Sequence, residues 1–109
     1  MNKPFSKRDY RELRSLAGRA YERELNHELQ KLYEIFHRWS AGEMLAGEMT
    51  DAIHEFHHGP NRDLFKLYNG PDCSLMVARG VAKGLLSRDE VGPELMPRLE
   101  HMLEWISRD

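Results

Sequence analysis

SKRDYRELRSLAGRAYERELNHELQKLYEIFHRWS, residues 6–40, contains no proline and a single interior glycine, Gly18. Most of its residues are good helix formers, and its start carries helix-entry chemistry. Ser6 can cap, Asp9 stands three residues on as in a capping box, and Phe5 and Tyr10 can staple the entry. One helix from there to Ser40 would be about 50 Å long. That is longer than a globule of 109 residues is wide. The sequence therefore predicts either a kink between Gly18 and Glu24 or an unbroken helix that pairs with a second subunit.

The apolar positions sharpen this choice. Leu13, Leu16, Ala17 and Ala20 share one face. Leu25, Leu29, Leu32, Phe36 and Trp39 share another, in steps of four and three. At the helical period these faces differ by roughly 130°. A straight helix would need two different neighbours, and a kinked one only a single core.

Outward from this stretch the pattern stays helical. Ser40-Ala41-Gly42 ends the first helix. A second is expected from about Leu45 to His57, with Leu45, Met49, Ala52, Ile53 and Phe56 facing in. Gly59-Pro60 reads as its stop and as the start of a short third helix through Leu64, Phe65, Leu67 and Tyr68. Asn69-Gly70-Pro71 is a turn. Asp72 can cap a fourth helix with Leu75, Ala78, Val81, Ala82 and Leu85 inward. Ser87-Arg88-Asp89-Glu90 repeats the capping-box pattern over one turn. Pro93 suits the first turn of a last helix facing in through Leu95, Leu99, Met102, Leu103 and Ile106. No segment alternates as a strand does. The expectation is an all-α single domain over residues 1–109: a small helical bundle with a long N-terminal helix, continuous or kinked, and three to four shorter helices.

Composition narrows the function classes. A net charge of −2 sets up no strong field for a polyanion or membrane. The charge is unevenly placed, however. Residues 1–23 hold seven basic and three acidic groups, the remainder nine basic and fifteen acidic. The N-terminal basic groups either pair with the chain's own acidic remainder or meet an acidic partner. Lys7, Arg11 and Arg14 form a stripe opposite Leu13 and Ala17, as nucleic-acid binding requires, but no nucleic-acid motif accompanies them. The single cysteine, Cys73, permits no internal disulfide, and it falls in a helix's first turn. With no apolar leader and no 18-residue apolar run, the chain reads as cytoplasmic, with no membrane partner.

The motif that invites a chemical reading is His54-Glu55-Phe56-His57-His58, which fits H-E-x-x-H. Two histidines four apart can share a zinc ion, and the glutamate can act on the metal-bound water. On that alternative the chain is a metal-dependent hydrolase, with His54 and His58 as ligands, Glu55 as base and zinc as cofactor. This resembles the zincin metalloproteases over five residues only. His57 occupies a position where they place an uncharged residue, and no third ligand follows. The pair also falls opposite Met49, Ile53 and Phe56 on the wheel. Glu24…His27, Glu34…His37 and Glu55…His58 fit the Glu-x-x-His element of di-iron bundles, but they point away from the apolar stripes.

The competing reading makes His54, His57, His58, Asn61 and Arg62 a polar corner. It would join a helix C-terminus to the next N-terminus and offer donors to an anion. On balance the sequence favours a non-catalytic helical module that associates with itself, as a homodimer, or with another protein. The first helix carries more apolar face than a small monomer can bury.

Overall fold

The computed structural model describes residues 4–108, which form helices and connecting turns with no strand among them. α1 spans Lys7–Ser40 as one α-helix of 34 residues, about 51 Å at 1.5 Å per residue. It runs unbroken through Gly18–Glu24, so the continuous alternative holds. Its entry is as expected. Ser6 Oγ accepts the Asp9 N–H and Asp9 Oδ2 accepts the Ser6 N–H, each at 3.0 Å. Phe5 meets Tyr10 edge-on at 5.6 Å. At its exit Gly42 takes φ +80°, and the Glu43 N–H turns back to the Arg38 carbonyl at 3.0 Å. A residue without a Cβ makes that turn without strain.

The remaining elements are α2 (Ala46–Phe56), a π-helical segment (His57–Asn61), α3 (Arg62–Tyr68), α4 (Cys73–Ala82), the single turn α5 (Arg88–Val91) and α6 (Met96–Ser107). The chain separates into two compact units, Met1–Glu22 with Gly70–Asp109, and Arg23–Asn69.

The first unit holds most of the core. Leu13, Leu16, Ala17 and Ala20 of α1 are buried with Val77 and Ala78 of α4, Leu85 and Leu86 after it, and Leu95, Leu99 and Leu103 around α6. Asp72 caps α4, accepting the Leu75 N–H at 3.0 Å and the buried Ser74 hydroxyl at 2.6 Å. Ser87 and Glu90 close the second expected capping box around α5. Arg98 of α6 reaches Asp9 at 3.0 Å and stacks over the Phe5 ring at 4.1 Å. Arg88 pairs with Glu100, and Arg19 with Glu90 at 3.0 Å.

Three details differ from the sequence reading. The inward face of α4 is Ser74, Met76, Val77, Ala78 and Gly80, while Ala82 is exposed. Gly80 explains the rotation. A Cβ there would lie 3.2 Å from the Ala20 Cβ and 2.9 Å from Leu86 Cδ1, so the helix approaches α1 along its glycine side. Gly84, four residues on and expected from the Gly-x-x-x-Gly spacing to join Gly80 in close helix packing, takes φ +76° and follows the end of the helix. α6 begins at Met96, with Pro97 in its first turn, and Pro93 lies in the preceding turn.

The largest difference is at Gly59-Pro60. The helix does not stop there. Phe56, His57, Asn61 and Arg62 all hold right-handed helical dihedrals, and the segment between them is wound as a π-helix with Pro60 inside it. Proline lacks an N–H and crowds the carbonyl four residues back. A π turn, bonded five residues back, takes in one extra residue and relieves that crowding. It also serves the packing. Met49 and Leu64 are buried and Phe56 is half-buried between them, at steps of seven and then eight residues. Eight residues of α-helix would turn Leu64 about 80° away from Phe56. One extra residue absorbed in the π turn brings it back.

Candidate functional site

Residues 23–69 form an antiparallel helical hairpin. Tyr68 Oη donates to Glu24 Oε1 at 2.8 Å at one end. Further along, Glu28, Leu32 and Ile35 of α1 share a hollow of about 200 Å³ with Ala52, Phe56 and Pro60. As α1 advances from 24 to 35 its neighbour therefore runs backward from 68 to 52. The inward edge of α1 is Leu25, Glu28, Leu32 and Ile35, each half-buried. This corrects the expected stripe: Leu29, Phe36 and Trp39 are exposed. Leu45, expected inside, is 74 % exposed at the head of α2, where the Glu48 carboxylate holds its N–H at 3.0 Å.

Helix geometry sorts the remaining side chains onto two flanks. Take the inward edges as Leu25–Ile35 on α1 and Met49–Phe56 on α2. At about 100° per residue, Leu29, Tyr33 and Phe36 project to one side of the hairpin. Because α2 runs the other way, Ile53 projects to that same side, and so does Phe65 once the π turn is counted. The opposite flank collects Glu24, Lys31 and Arg38 from α1 with Glu48 and Glu55 from α2, beside the inward Glu28. There Lys31 pairs with Glu28 at 3.2 Å. One side of the hairpin is thus apolar and the other charged.

Burial makes the imbalance concrete. Sixteen apolar residues are buried among the described residues, and only Met49 and Leu64 belong to 23–69. Of ten large apolar side chains left exposed, eight belong to this hairpin. An amphipathic helix gains most of its stability by covering its apolar face. This pair leaves much of its apolar surface in water.

The histidines of the H-E-x-x-H stretch do meet, but on the outside of the hairpin. His54 and His58 stand 4.9 Å apart between ring centroids, and His57 and His58 5.1 Å, all edge-to-face. Asn61 Nδ2 lies 3.5 Å from His57 Nδ1. His57, His58, Asn61 and Arg62 line an open hollow of about 350 Å³ with Phe65. Glu55 opens instead into the hollow with Glu28 and Lys31. The five residues read as a corner therefore lie along one continuous helical run rather than across a break. Among the described residues no three His, Cys, Asp or Glu side chains are grouped to hold a metal ion.

The other candidates are scattered. Lys7, Arg11 and Arg14 are exposed along α1. Cys73 is half-buried at the first position of α4. His27, Glu34 and His37 are exposed, whereas Glu24 is half-buried and bonded to Tyr68. That bond was not apparent from the sequence, since nothing local ties residues 44 positions apart. The inward edge could have been found, because Leu25 and Leu32 belong equally to a 25-28-32-35 stripe that includes Ile35. No described helix is long and apolar enough to cross a membrane. The chain matches no family model, no curated protein and no solved structure.

Proposed function

We propose that this chain is a helical association module whose working part is the hairpin of residues 23–69, acting by binding another protein surface rather than by catalysing a reaction. The observation that supports this is the apolar flank of Leu29, Tyr33, Phe36, Ile53 and Phe65, set against a charged opposite flank. Scattered exposed apolar residues are ordinary on a monomer, but a contiguous patch rimmed by polar groups marks an interaction surface. Helices that lay such faces together gain specificity from the pattern of anchors along each helix. The first unit has its own core, built around the N-terminal half of α1.

The test is dye binding by the full chain on dilution. An environment-sensitive apolar dye should bind more strongly per chain as the protein is diluted and the flank uncovered. Replacing Phe65 by Ser and Ile53 by Gln should remove most of that signal. A chain that binds no dye at any concentration, with variants indistinguishable from the parent, has no open apolar surface, and the reading fails.

A further inference from the structure

We infer that the occupant of the apolar flank is a second copy of this chain, the two hairpins closing flank to flank into a four-helix bundle about a two-fold axis. The inference rests on the association reading and names its partner.

Three properties of the flank select an identical copy. The first is its rim. The residues bordering it are Asn26, Gln30 and His37 on α1, Thr50 on α2, His57 and Asn61 in the π segment, and Arg62 at the start of α3. Arg62, which lines the hollow beside Phe65, is the one formal charge among them with histidine neutral, and it lies at the end of the face, where a two-fold axis through the centre keeps it apart from its copy. In a two-fold interface every rim residue meets its own kind of surface, so a single-sign rim would repel itself. A partner of different sequence is selected mainly by complementary charge, and apart from Arg62 this face offers little of it, since most of the hairpin's charges lie on the other flank.

The second property is size. Leu29, Tyr33, Phe36, Ile53 and Phe65 are 42 %, 65 %, 39 %, 40 % and 58 % exposed. Side chains of this kind so placed open on the order of 500 Å². With the polar rim added, the face approaches the roughly 800 Å² per partner of a standard interface.

The third is shape. The face is made of two antiparallel helices side by side. A second such pair laid across it gives a four-helix bundle, in which knobs from each flank enter the groove between the partner's helices. The same operation covers both flanks at once, as a two-fold axis requires.

The experiment is sedimentation velocity of the full chain between about 1 and 100 μM. Three variants are compared with the parent: Tyr33→Asp and Phe36→Gln on the apolar flank, and Lys31→Gln on the charged one. Tyr33 is mostly in water, so its substitution leaves the hairpin's own packing alone, and circular dichroism checks that each variant stays helical. The parent and Lys31→Gln should sediment as dimers. Tyr33→Asp and Phe36→Gln should be monomers or dissociate at least about tenfold more readily. A parent that is monomeric at 100 μM, or a dimer untouched by both flank variants, overturns the inference. The dye measurement separates this failure from that of the association reading. A monomer that binds dye through the flank rejects only the second copy, and a monomer that binds none rejects both.

Discussion

Tyr68 donates its hydroxyl proton to Glu24 across 2.8 Å, closing the open end of the hairpin with the last residue of α3. Both side chains are half-buried. Removing the hydroxyl leaves a carboxylate short of a donor where water reaches it only in part. Tyr68→Phe should destabilise the chain by about 1 kcal/mol, read as a lower denaturation midpoint with unchanged slope. Glu24→Gln keeps an acceptor oxygen and should lose less. Equal losses from both changes would mean that ring packing, not the bond, holds this end.

Two glycines of the first unit should answer oppositely to the same substitution. A Cβ on Gly80 would stand 2.9 Å from Leu86 Cδ1 and 3.2 Å from the Ala20 Cβ, while one on Gly18 meets nothing within 4 Å. Gly18→Ala should stabilise by about 0.5–1 kcal/mol through helix propensity and a less free unfolded chain. Gly80→Ala should destabilise by about 1–3 kcal/mol, because the crowding of α4 against α1 outweighs the propensity gain. Thermal unfolding of the two variants decides it. A stabilised Gly80→Ala would show that Leu86 and Ala20 give way freely.

The acid side of the stability curve should carry the mark of Asp9. The backbone N–H of Ser6 holds its carboxyl below the ordinary value, with the Ser6 hydroxyl and the Arg98 guanidinium acting in the same direction against a desolvation effect that raises it. A group whose folded pKa is depressed stabilises the fold above its unfolded value of about 3.9. That contribution is lost as the pH falls below about 4 and through the folded value. Asp9→Asn should therefore flatten stability against pH in this acid range and leave its shape near neutrality unchanged. An unaltered acid slope would count against the Ser6–Asp9–Arg98 arrangement.

The π segment makes a prediction by deletion. Removing Gly59 and replacing Pro60 by Ala leaves a step of seven residues from Phe56 to Leu64, the spacing of an α-helix that keeps both on one face. This shortened chain should stay folded within about 1 kcal/mol of the parent, since it loses a helix-interior proline and glycine. Deleting exposed Thr50 instead turns Met49 away from Phe56. That change should destabilise by about 2–5 kcal/mol, as a lost core side chain does. Similar losses in both deletions would show that the π turn does not set the register.

These residues also mark what the sequence could and could not give. The all-α class, the Ser6–Asp9 and Ser87–Glu90 boxes, the Asp72 cap and the Ser40–Gly42 stop are local chemistry, written within four residues of where they act. Gly59-Pro60 was misread because helix-breaking rules describe α geometry. Only the seven-then-eight spacing of Met49, Phe56 and Leu64 signals a π turn, and it requires knowing that all three face one neighbour. The inward stripe of α1 was displaced for a related reason. Leu25 and Leu32 fit two stripes, and the choice between 28-35 and 29-36 is made by α2 and α3, not by α1. For His54, Glu55 and His58, spacing alone did bring the two imidazoles together. It could not show that Glu55 opens into a different hollow, which depends on where α1 lies.

The border of the apolar flank, with Arg62 its one formal charge, sets the thermodynamics of whatever closes over it. Contact made mainly by removing hydrocarbon from water is little weakened by added sodium chloride, since few ion pairs are there to screen. It is strengthened by sulfate and loosened by cooling, because the heat capacity falls when such surface is covered. The hairpin should hold its partner more firmly in a warm, salty solution than in a cold, dilute one.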